Sequence, residues 1–421
     1  MATKEHTEPS RDAWGPTRAA LVVAFPEPGV LPVPKSGGPV GRDWFEQHGV
    51  VDERVSSRHA VFTRPGGGLH VEDAGSRNGV WVNGSRLRST ERVPLADGAV
   101  IRVGRTLMVY REAFPGDDDR PSPPLGKLVG PYGLRDVVDD VKAIAARRPR
   151  NVLIVGETGT GKELVARVLA ERARPRGKYG VINVAGIASG VFESQLFGYV
   201  PGAYSGSGRG SPGFFVEHDG GAVFLDEIGE LAADLQAKLL RVLDNREVLA
   251  VGANRAKPVD LLVISATNRP LEEMVSKGTF RQDLVARLEA ARIDLPPLRD
   301  RAEDLYEIMR TIVEARGERL LAERVEVEAV ERLMLEPWPS NVRGVQAALE
   351  RIARITPPPE LTRAAVERVL GPRVPVPPGP ASALTLDLVQ DAIRTAGGVA
   401  QAAKRLGVSR GRLLRFLKSH Q

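Results

Sequence analysis

The chain has 421 residues, a formal net charge of +6 and no cysteine. The length favours two to four domains, and the lack of cysteine excludes a disulfide framework, a thiol nucleophile and a zinc-finger ligand set. The sequence contains no apolar run of about eighteen residues, and its polar N-terminus lacks the apolar core of a signal peptide. It therefore predicts a cytoplasmic protein that does not cross a membrane.

Two segments rich in proline divide the chain. Residues 114–126 (FPGDDDRPSPPLG) and residues 357–383, which include PRVPVPPGPAS, predict linkers because such sequences do not build a packed core. A short amphipathic stretch, 361–370, lies within the second segment. The sequence thus predicts three modules, over residues 17–113, 127–356 and 384–421.

The first module, residues 17–113, consists of short apolar runs separated by Gly, Asn and Asp turns, which predicts an all-β sandwich. It contains GR at 41–42, SSRHA at 56–60 and GSRNGVWVNG at 75–84. This set resembles the forkhead-associated (FHA) domain, a family that binds phosphothreonine peptides. The resemblance implies a phosphothreonine protein or a Ser/Thr kinase as partner, and His59 as a structural residue. The implied phosphopeptide-binding residues are Arg42, Ser56, Arg77 and Asn78.

The second module, residues 127–356, contains the sequence GETGTGKE at residues 156–163, which has the spacing of a phosphate-binding loop. A buried strand is predicted before it, and a helix after it, so that bound phosphates would lie at a helix N-terminus. The glycines let the backbone approach the phosphates, and Lys162 would reach the terminal ones. The predicted nucleotide-binding residues are Gly156, Glu157, Thr158, Gly159, Thr160, Gly161, Lys162 and Glu163.

Two further apolar runs end in polar residues that suit ATP hydrolysis. The run at 222–226 ends in Asp226, which would hold Mg²⁺, and Glu227 follows as the general base for the attacking water. The run at 261–268 ends in Asn268, which is placed to sense the γ-phosphate. Strands that alternate with helices predict a parallel sheet with this site at its C-terminal edge. The predicted cofactors are ATP and Mg²⁺.

Five motifs of this module resemble the AAA+ ATPases and, within them, the bacterial enhancer-binding proteins that activate the sigma-54 form of RNA polymerase. Glu163 stands where most phosphate-binding loops have Ser or Thr, and this family carries glutamate there. The resemblance implies an α/β part over 127–295 and a helical lid over 296–356. The motifs are GETGTGKE, ESQLFG (193–198), GGAVFLDEIGEL (220–231), FRQDLVARL (280–288) and WPSNVRGVQAALE (338–350).

The same resemblance assigns roles to four more residues. Asn183 matches an asparagine that pairs with the catalytic glutamate as a switch, and Arg343 matches the sensor arginine of the lid. Arg281 and Arg287 match arginines that reach the ATP of a neighbouring subunit. Such contacts require a homo-oligomer, and the resemblance implies assembly from a dimer to a hexameric ring.

The loop with which this family contacts the sigma factor reads GAFTGA, whereas this chain has GAYSGS at 202–207. Aromatic and hydroxyl groups are kept, but the Phe-Thr pair is replaced by Tyr-Ser. Two interpretations stay open, a sigma-54 contact and a contact with some other partner. The residues of this loop are Gly202, Ala203, Tyr204, Ser205, Gly206 and Ser207.

The third module, residues 384–421, carries seven basic and two acidic side chains, which points to a polyanion partner. Its pattern predicts helices over about 386–396, 399–406 and 410–419, with the turn LGVS as in a helix-turn-helix. It resembles the Fis-type DNA-binding domain of enhancer-binding proteins. The third helix would lie in the major groove of upstream promoter DNA. Its predicted contact residues are Ser409, Arg410, Arg412, Arg415 and Lys418.

Together these motifs predict an ATP-dependent transcriptional regulator that senses phosphothreonine, binds upstream DNA and remodels sigma-54 RNA polymerase. One alternative is an AAA+ ATPase that remodels a different partner. The other is a DNA-bound phosphopeptide adaptor without ATPase-driven activation.

Overall fold

A computed structural model of the protein describes residues 17–35, 37–116, 118–174, 176–185, 189–203, 209–317, 324–355, 360–372, 386–396, 398–406, 413 and 416–417. Within these ranges, none of the helices combines the length and the apolar character needed to cross a bilayer.

The N-terminal module is the antiparallel sandwich that the sequence predicts. One sheet has the strand order β2-β1-β10-β9-β6-β7 and the other β3-β4-β5-β8. Apolar side chains from both sheets fill the space between them, among them Leu21, Phe62 and Ile101. The elements are β1 Thr17–Phe25, β2 Gly29–Pro32, β3 Pro39–Val40, α1 Arg42–Gln47, β4 Ala60–Thr63, β5 His70–Asp73, β6 Val80–Val82, β7 Ser85–Arg86, β8 Arg92–Pro94, β9 Val100–Val103 and β10 Thr106–Pro115.

The central module contains a five-stranded sheet of order β12-β13-β16-β11-β17 in which all neighbours are parallel. Apolar cores lie on both faces, so the strands are buried from both sides. The strands are β11 Asn151–Val155, β12 Tyr179–Asn183, β13 Ala222–Asp226, β16 Leu262–Thr267 and β17 Arg292–Asp294, and β14 Glu247–Val248 with β15 Lys257–Pro258 forms a hairpin. The helices are α2 Arg135–Ala146, α3 Lys162–Ala173, α4 Ser189–Phe197, α5 Phe214–Glu217, α6 Ala233–Asn245, α7 Leu271–Ser276 and α8 Gln282–Leu288.

The lid follows the sheet and is helical, as expected. The helices are α9 Leu305–Ala315, α10 Val327–Met334, α11 Asn341–Ile355 and α12 Arg363–Leu370, and β18 Arg324–Val325 pairs in parallel with β19 Glu360–Leu361. Two 3₁₀ turns, Leu298–Asp300 and Ala302–Asp304, lead into the first of these helices.

The predicted linker over 357–383 is wrong for residues 360–372, which belong to the lid. Helix α12 buries Ala365, Val366 and Val369 in the core that α9, α10 and α11 share. The proline run before it in the sequence predicts a break, and the amphipathic pattern after that run outweighs the prediction because the lid offers an apolar surface to cover.

The predicted linker over 114–126 is likewise docked onto the protein. Phe114 ends the sandwich in a buried position, with its ring centroid 6.1 Å from that of Tyr132. Leu125 forms a bridge with Leu128, and both side chains join the core beneath α3. Proline content predicted a linker here, but it did not reveal that Phe114 and Leu125 are packed against the central module.

The sandwich and the lid share one apolar core, although the sequence predicts them as separate modules. Phe25 of β1 meets Tyr306 of α9 edge-on, with ring centroids 4.8 Å apart. Val100, Leu107 and Val109 pack into the same cluster as the lid helices. The outer face of the six-stranded sheet is thus covered by the lid.

In the C-terminal module, α13 Leu386–Ala396 and α14 Val399–Arg405 occupy predicted positions. Val389 and Ala392 cluster with Ala402, Ala403 and Leu413. The five predicted DNA-contact residues (Ser409, Arg410, Arg412, Arg415 and Lys418) lie outside the described residues.

Candidate nucleotide-binding and phosphopeptide sites

The P-loop joins the end of β11 to the first turn of α3, and its packing requires glycine. A Cβ atom on Gly159 would lie 2.3 Å from the carbonyl oxygen of Ser340, and one on Gly161 would lie 2.7 Å from Leu128. Both glycines adopt left-handed φ values, 78° and 106°, that L side chains rarely take. The loop therefore presents backbone N–H groups at a helix N-terminus, the geometry that binds phosphates.

Lys162 is the first residue of α3, and its side chain folds back over the loop. Its Nζ donates hydrogen bonds to the carbonyl oxygens of Gly156 and Glu157 at 2.9 and 3.1 Å. Burial lowers the pKa of Lys162, while the nearby carboxylate of Asp226 opposes that shift and Arg343 adds to it. The fold thus brings the lysine, the acidic strand end and the lid arginine to one place.

Glu157 is used to fix the loop to the lid. Arg299 binds its carboxylate with two hydrogen bonds, and Asn341 Nδ2 donates a third at 3.2 Å. Asn341 is fully buried, and it also donates to the carbonyl oxygen of Thr158 and accepts from the N–H of Leu298. The hydrogen bonds from Arg299 are the main reason that the pKa of Glu157 is lowered.

Sequence reasoning missed both Arg299 and Asn341 as parts of the site. Their roles depend on contacts between residues more than 140 positions apart along the chain. The only signal was that Asn341 stands two residues before Arg343 in the motif WPSNVRG.

Asp226 and Asn183 end neighbouring strands and face each other in the register of β13 and β12. Asp226 Oδ1 accepts the N–H of Glu227 at 3.0 Å, and Glu227 has a φ of 57°. A non-glycine residue in that conformation is strained, and such strain concentrates at functional sites. Asn183 Oδ1 accepts the N–H of Ala185, and in the described part of the chain it makes no hydrogen bond with Glu227. The predicted switch pair stays a prediction.

One carboxylate at this site, that of Asp226, is suited to bind a magnesium ion. Asp226 Oδ2 accepts no hydrogen bond from the described residues, and its oxygens lie beside the charge of Lys162. Glu163 instead has a side chain that is 58% exposed and lies 3.9 Å from Arg167, one helical turn away. Asp226 is therefore the carboxylate that the geometry offers to the metal, since oxygen is the ligand that Mg²⁺ prefers.

Asn268 follows β16 and reaches the P-loop directly. Its Nδ2 donates to Thr158 Oγ1 at 3.1 Å, while Thr160 Oγ1 donates to the carbonyl oxygen of Glu157 at 2.8 Å. The predicted γ-phosphate sensor is thus in contact with the loop that would hold the phosphates.

A cavity of about 240 Å³ lies between the P-loop and the lid. Most of its charged lining comes from the loop, Asp226, Arg301 and Arg343. Its apolar lining comes from the segment before α2 and from α9 and α11, which also contribute Lys127, Thr311 and Gln346. Such a division suits a ligand with charged phosphates at one end and a flat apolar base at the other. The apolar lining residues include Leu128, Val129, Ile308, Ile312 and Val342.

Arg281 immediately precedes α8 and Arg287 lies in its last turn, and neither is among the described residues that line the cavity. Arg281 forms two hydrogen bonds with Asp283, at 3.0 and 2.7 Å, and Arg287 pairs with Asp244 at 2.5 Å. Their side chains are 49% and 60% exposed. Both guanidinium groups therefore lie at the surface, where a second subunit could meet them.

The base of the GAYSGS segment is ordered by backbone pairing. Tyr199 and Ser211 exchange two hydrogen bonds of 3.0 and 2.9 Å, and Gly202 has a φ of 82°. Ala203 follows, next to Gly252. Tyr204, Ser205, Gly206 and Ser207 lie outside the described residues.

The predicted phosphopeptide residues come together at one end of the sandwich. Arg42 begins α1, and its guanidinium donates to the carbonyl oxygens of Val55 at 3.3 Å and Glu53 at 3.5 Å. A Cβ atom on Gly41 would lie 1.8 Å from the carbonyl oxygen of Ser57, so only glycine fits before the arginine.

Hydrogen bonds connect the other three predicted residues to the same loops. Ser56 Oγ accepts the N–H of Arg77 at 3.2 Å, and Asn78 Nδ2 donates to the carbonyl oxygen of Arg54 at 2.6 Å. His59 is fully buried, and its Nδ1 accepts the N–H of Ser56 while Nε2 donates to a backbone carbonyl. Burial lowers the pKa of His59, which favours the neutral ring that this bonding requires.

Comparison with known proteins identifies the families of the central module and of the sandwich. The chain matches the family model of the sigma-54 interaction domain over residues 131–294 and that of the FHA domain over residues 40–104. It is 38% identical over 307 residues to the transcriptional regulatory protein ZraR of Klebsiella oxytoca, which covers 70% of this chain and 69% of ZraR. It is 39% identical over 253 residues to the regulator NtrC of Rhizobium meliloti, covering 60% of this chain but 52% of NtrC.

Among solved structures, NtrX of Brucella abortus in complex with ATP is similar, with a TM-score of 0.51 and 29% identity. The match covers 70% of this chain and 69% of that one. Fold and site thus define an AAA+ ATPase domain joined to an FHA domain. The chain belongs to the family of sigma-54-interacting transcriptional regulators, and it spans about half the length of the NtrC that it matches.

Proposed function

We propose that this protein is a phosphothreonine-sensing transcriptional activator that hydrolyses ATP to remodel sigma-54 RNA polymerase. The observation that carries the proposal is that Lys162 and Asp226 line one cavity at the C-terminal edge of the parallel sheet, where Asn268 also donates a hydrogen bond to the P-loop. Glu227, next to Asp226, would accept a proton from the water that attacks the γ-phosphate, giving ADP and phosphate.

The charged residues of the predicted ATPase site have distinct tasks in this proposal. The P-loop N–H groups and Lys162 bind the phosphates, and Arg343 approaches them from the lid. Bound Mg²⁺, held by Asp226, would neutralise negative charge on the phosphate oxygens. Arg281 and Arg287, which lie on the surface of their own subunit, would supply positive charge to a neighbour's site in a ring.

The other two modules would connect the ATPase to its signal and to its promoter. The end of the sandwich that holds Arg42, Ser56, Arg77 and Asn78 would bind a phosphothreonine partner or kinase. The basic C-terminal segment would hold the assembly on upstream DNA through phosphate neutralisation.

Open-complex formation in vitro, with sigma-54 RNA polymerase, ATP and the full chain, tests this proposal. We expect open complexes that depend on ATP hydrolysis, and a chain ending at residue 372 should need a higher protein concentration because it lacks the DNA-holding segment. A matched variant, Tyr204→Phe with Ser205→Thr, converts GAYSGS to GAFTGS and should perform at least as well.

The second candidate function is an AAA+ ATPase that remodels another partner, and the GAYSGS sequence is what favours it. Under this alternative, protein that hydrolyses ATP and forms rings would still produce no open complexes. Recovery of open complexes by the GAFTGS variant alone would identify the loop as the cause. A chain that binds ATP and DNA without hydrolysis would instead indicate an adaptor.

A further inference from the structure

Arg111, in the last strand of the sandwich, is buried where the sandwich meets the lid. Its Nε donates to Glu303 Oε1 at 3.0 Å, and its Nη2 donates to Glu303 Oε2 and to the carbonyl oxygen of Asp300. The two side chains are 7% and 3% exposed. Two parallel hydrogen bonds between a guanidinium and a carboxylate fix the orientation of both groups, and a buried carboxylate needs such a partner for its charge. The sandwich therefore determines where Glu303 lies.

Glu303 belongs to the 3₁₀ turn Ala302–Asp304, and Arg301, which contacts the P-loop, immediately precedes this turn. Arg301 is 1% exposed, and its Nη2 donates to the carbonyl oxygen of Thr160 at 3.2 Å. The same arginine lines the cavity between the P-loop and the lid. Asp304 anchors the other end of the turn by accepting the N–H groups of Tyr132 and Gly133.

Few other contacts hold the guanidinium of Arg301. Within the described residues, its Nε and Nη1 have no hydrogen-bond partner, and Nη1 lies 4.0 Å from Asp304 Oδ2. The position of Arg301 is thus set mainly by the backbone of the 3₁₀ turn Ala302–Asp304, which it precedes. Any shift of that turn would move a buried charge relative to the P-loop carbonyl that it binds.

We propose that Arg111 of the FHA domain is a positioning residue for nucleotide binding, acting through Glu303 and Arg301 on the P-loop at Thr160. The inference rests on the proposed function only in taking the cavity as the ATP site. Since coupling between two sites is reciprocal, a partner that shifts the sandwich on the lid changes ATP affinity, and ATP changes the affinity for that partner.

A second buried ion pair in the same interface provides a matched control. Arg102 of β9 lies 2.9 Å from Glu331 of α10, and their side chains are 7% and 6% exposed. Helix α10 contributes no residue to the cavity in the described part of the chain. This pair joins the same two modules but has no contact through the described residues that continues to the P-loop. Its removal therefore measures the effect of a weaker domain contact alone, without a change at Arg301.

The test compares Arg111→Gln/Glu303→Gln with Arg102→Gln/Glu331→Gln in the full chain. Both variants remove a buried charge pair together with one further ion pair, to Asp97 in the first variant and to Glu328 in the second. Titration with a fluorescent ATP analogue should show about five- to tenfold weaker binding for the first variant and less than a twofold change for the second. The KM for ATP should rise by the same factor while kcat changes little. The single variant Arg111→Lys, which keeps the positive charge, should retain part of the ATP affinity that the first double variant loses.

Equal losses in both double variants, or no loss in the first, would overturn the proposal. If the first variant melts below the working temperature, Arg301→Lys provides a second test, because it changes the contact with Thr160 and leaves the sandwich unaltered. Unchanged affinity for the ATP analogue in that variant would equally overturn the proposal. Wild-type protein that binds the analogue without turning ATP over would contradict the proposed function and leave this binding comparison decisive.

Discussion

Arg299 donates two hydrogen bonds to the carboxylate of Glu157 in the P-loop, from Nη1 to Oε2 at 2.9 Å and from Nη2 to Oε1 at 2.6 Å. The 3₁₀ turn at the base of the lid is thereby tied to the loop that would hold the phosphates. Asn341, at the start of α11, joins the same carboxylate at 3.2 Å. A movement of the lid is thus transmitted directly to the backbone of the P-loop.

Replacing Arg299 with alanine should weaken ATP binding, because the P-loop would lose part of its support in the binding geometry. Both partners are 41% exposed, so the pair is worth at most about 1 kcal/mol and the dissociation constant should rise about two- to fivefold. Calorimetric titration measures this change. Arg310→Ala, which removes an arginine of similar exposure from α9, should leave the affinity unchanged.

Glu227→Ala should lower ATP turnover about a hundredfold or more while ATP binding stays within a factor of about two, because the general base acts on the water and not on the nucleotide. Steady-state phosphate release and analogue binding measure the two effects. Glu230→Ala removes a nearby carboxylate that pairs with Arg269 at the surface, and it serves as the control. Turnover at the wild-type rate in the Glu227 variant would remove this residue from its role.

Mixing two inactive variants should restore turnover if the arginine acts between subunits. Arg281→Ala keeps the acidic residues, and Glu227→Ala keeps the arginine. In a randomly mixed ring, about a quarter of the interfaces would combine an intact site with an intact neighbouring arginine. Turnover measured against mixing ratio should therefore peak near equal amounts. A mixture that stays as inactive as its components would argue for action within one chain.

Arg42→Ala should abolish measurable binding of a phosphothreonine peptide, since charge-assisted hydrogen bonds contribute about 1.5–3 kcal/mol each. Fluorescence anisotropy with matched phosphorylated and unphosphorylated peptides gives the affinity. Arg92→Ala, on β8 and paired with Glu72, removes the same charge elsewhere on the sandwich and should bind normally. Equal affinity in the Arg42 variant would refute the assignment of the phosphate site.

The stability of the sandwich should fall as the pH drops below about 6.5, the ordinary pKa of histidine. Burial lowers the pKa of His59 in the folded protein, so the unfolded chain takes up the proton first and gains stability as the pH falls. Protonation would also remove the acceptor for the N–H of Ser56. Melting curves between pH 5 and 8 should show a smaller pH dependence for His59→Gln than for His70→Gln.

The local sequence determined the elements that carry the chemistry. Apolar runs that end in Asp226 and Asn268 predicted buried parallel strands, and the glycine spacing around Lys162 predicted the loop between strand and helix. These features depend on neighbours in the chain, because strand burial and loop geometry follow from residue type and spacing. The sequence GR at 41–42 likewise predicted a phosphopeptide-binding end of the sandwich, and that assignment stays a prediction.

Tertiary structure alone decided how the modules are joined. Arg111 and Glu303 are 192 positions apart, and nothing near either residue in the sequence marks it as a partner for the other. The sequence likewise did not predict the packing of Phe114, Leu125 and α12 against the rest of the protein. Proline content indicates local stiffness and not the surface against which a segment packs. Long-range burial selects such partners, because a charge or an apolar face withdrawn from water must find its complement wherever the fold brings one close.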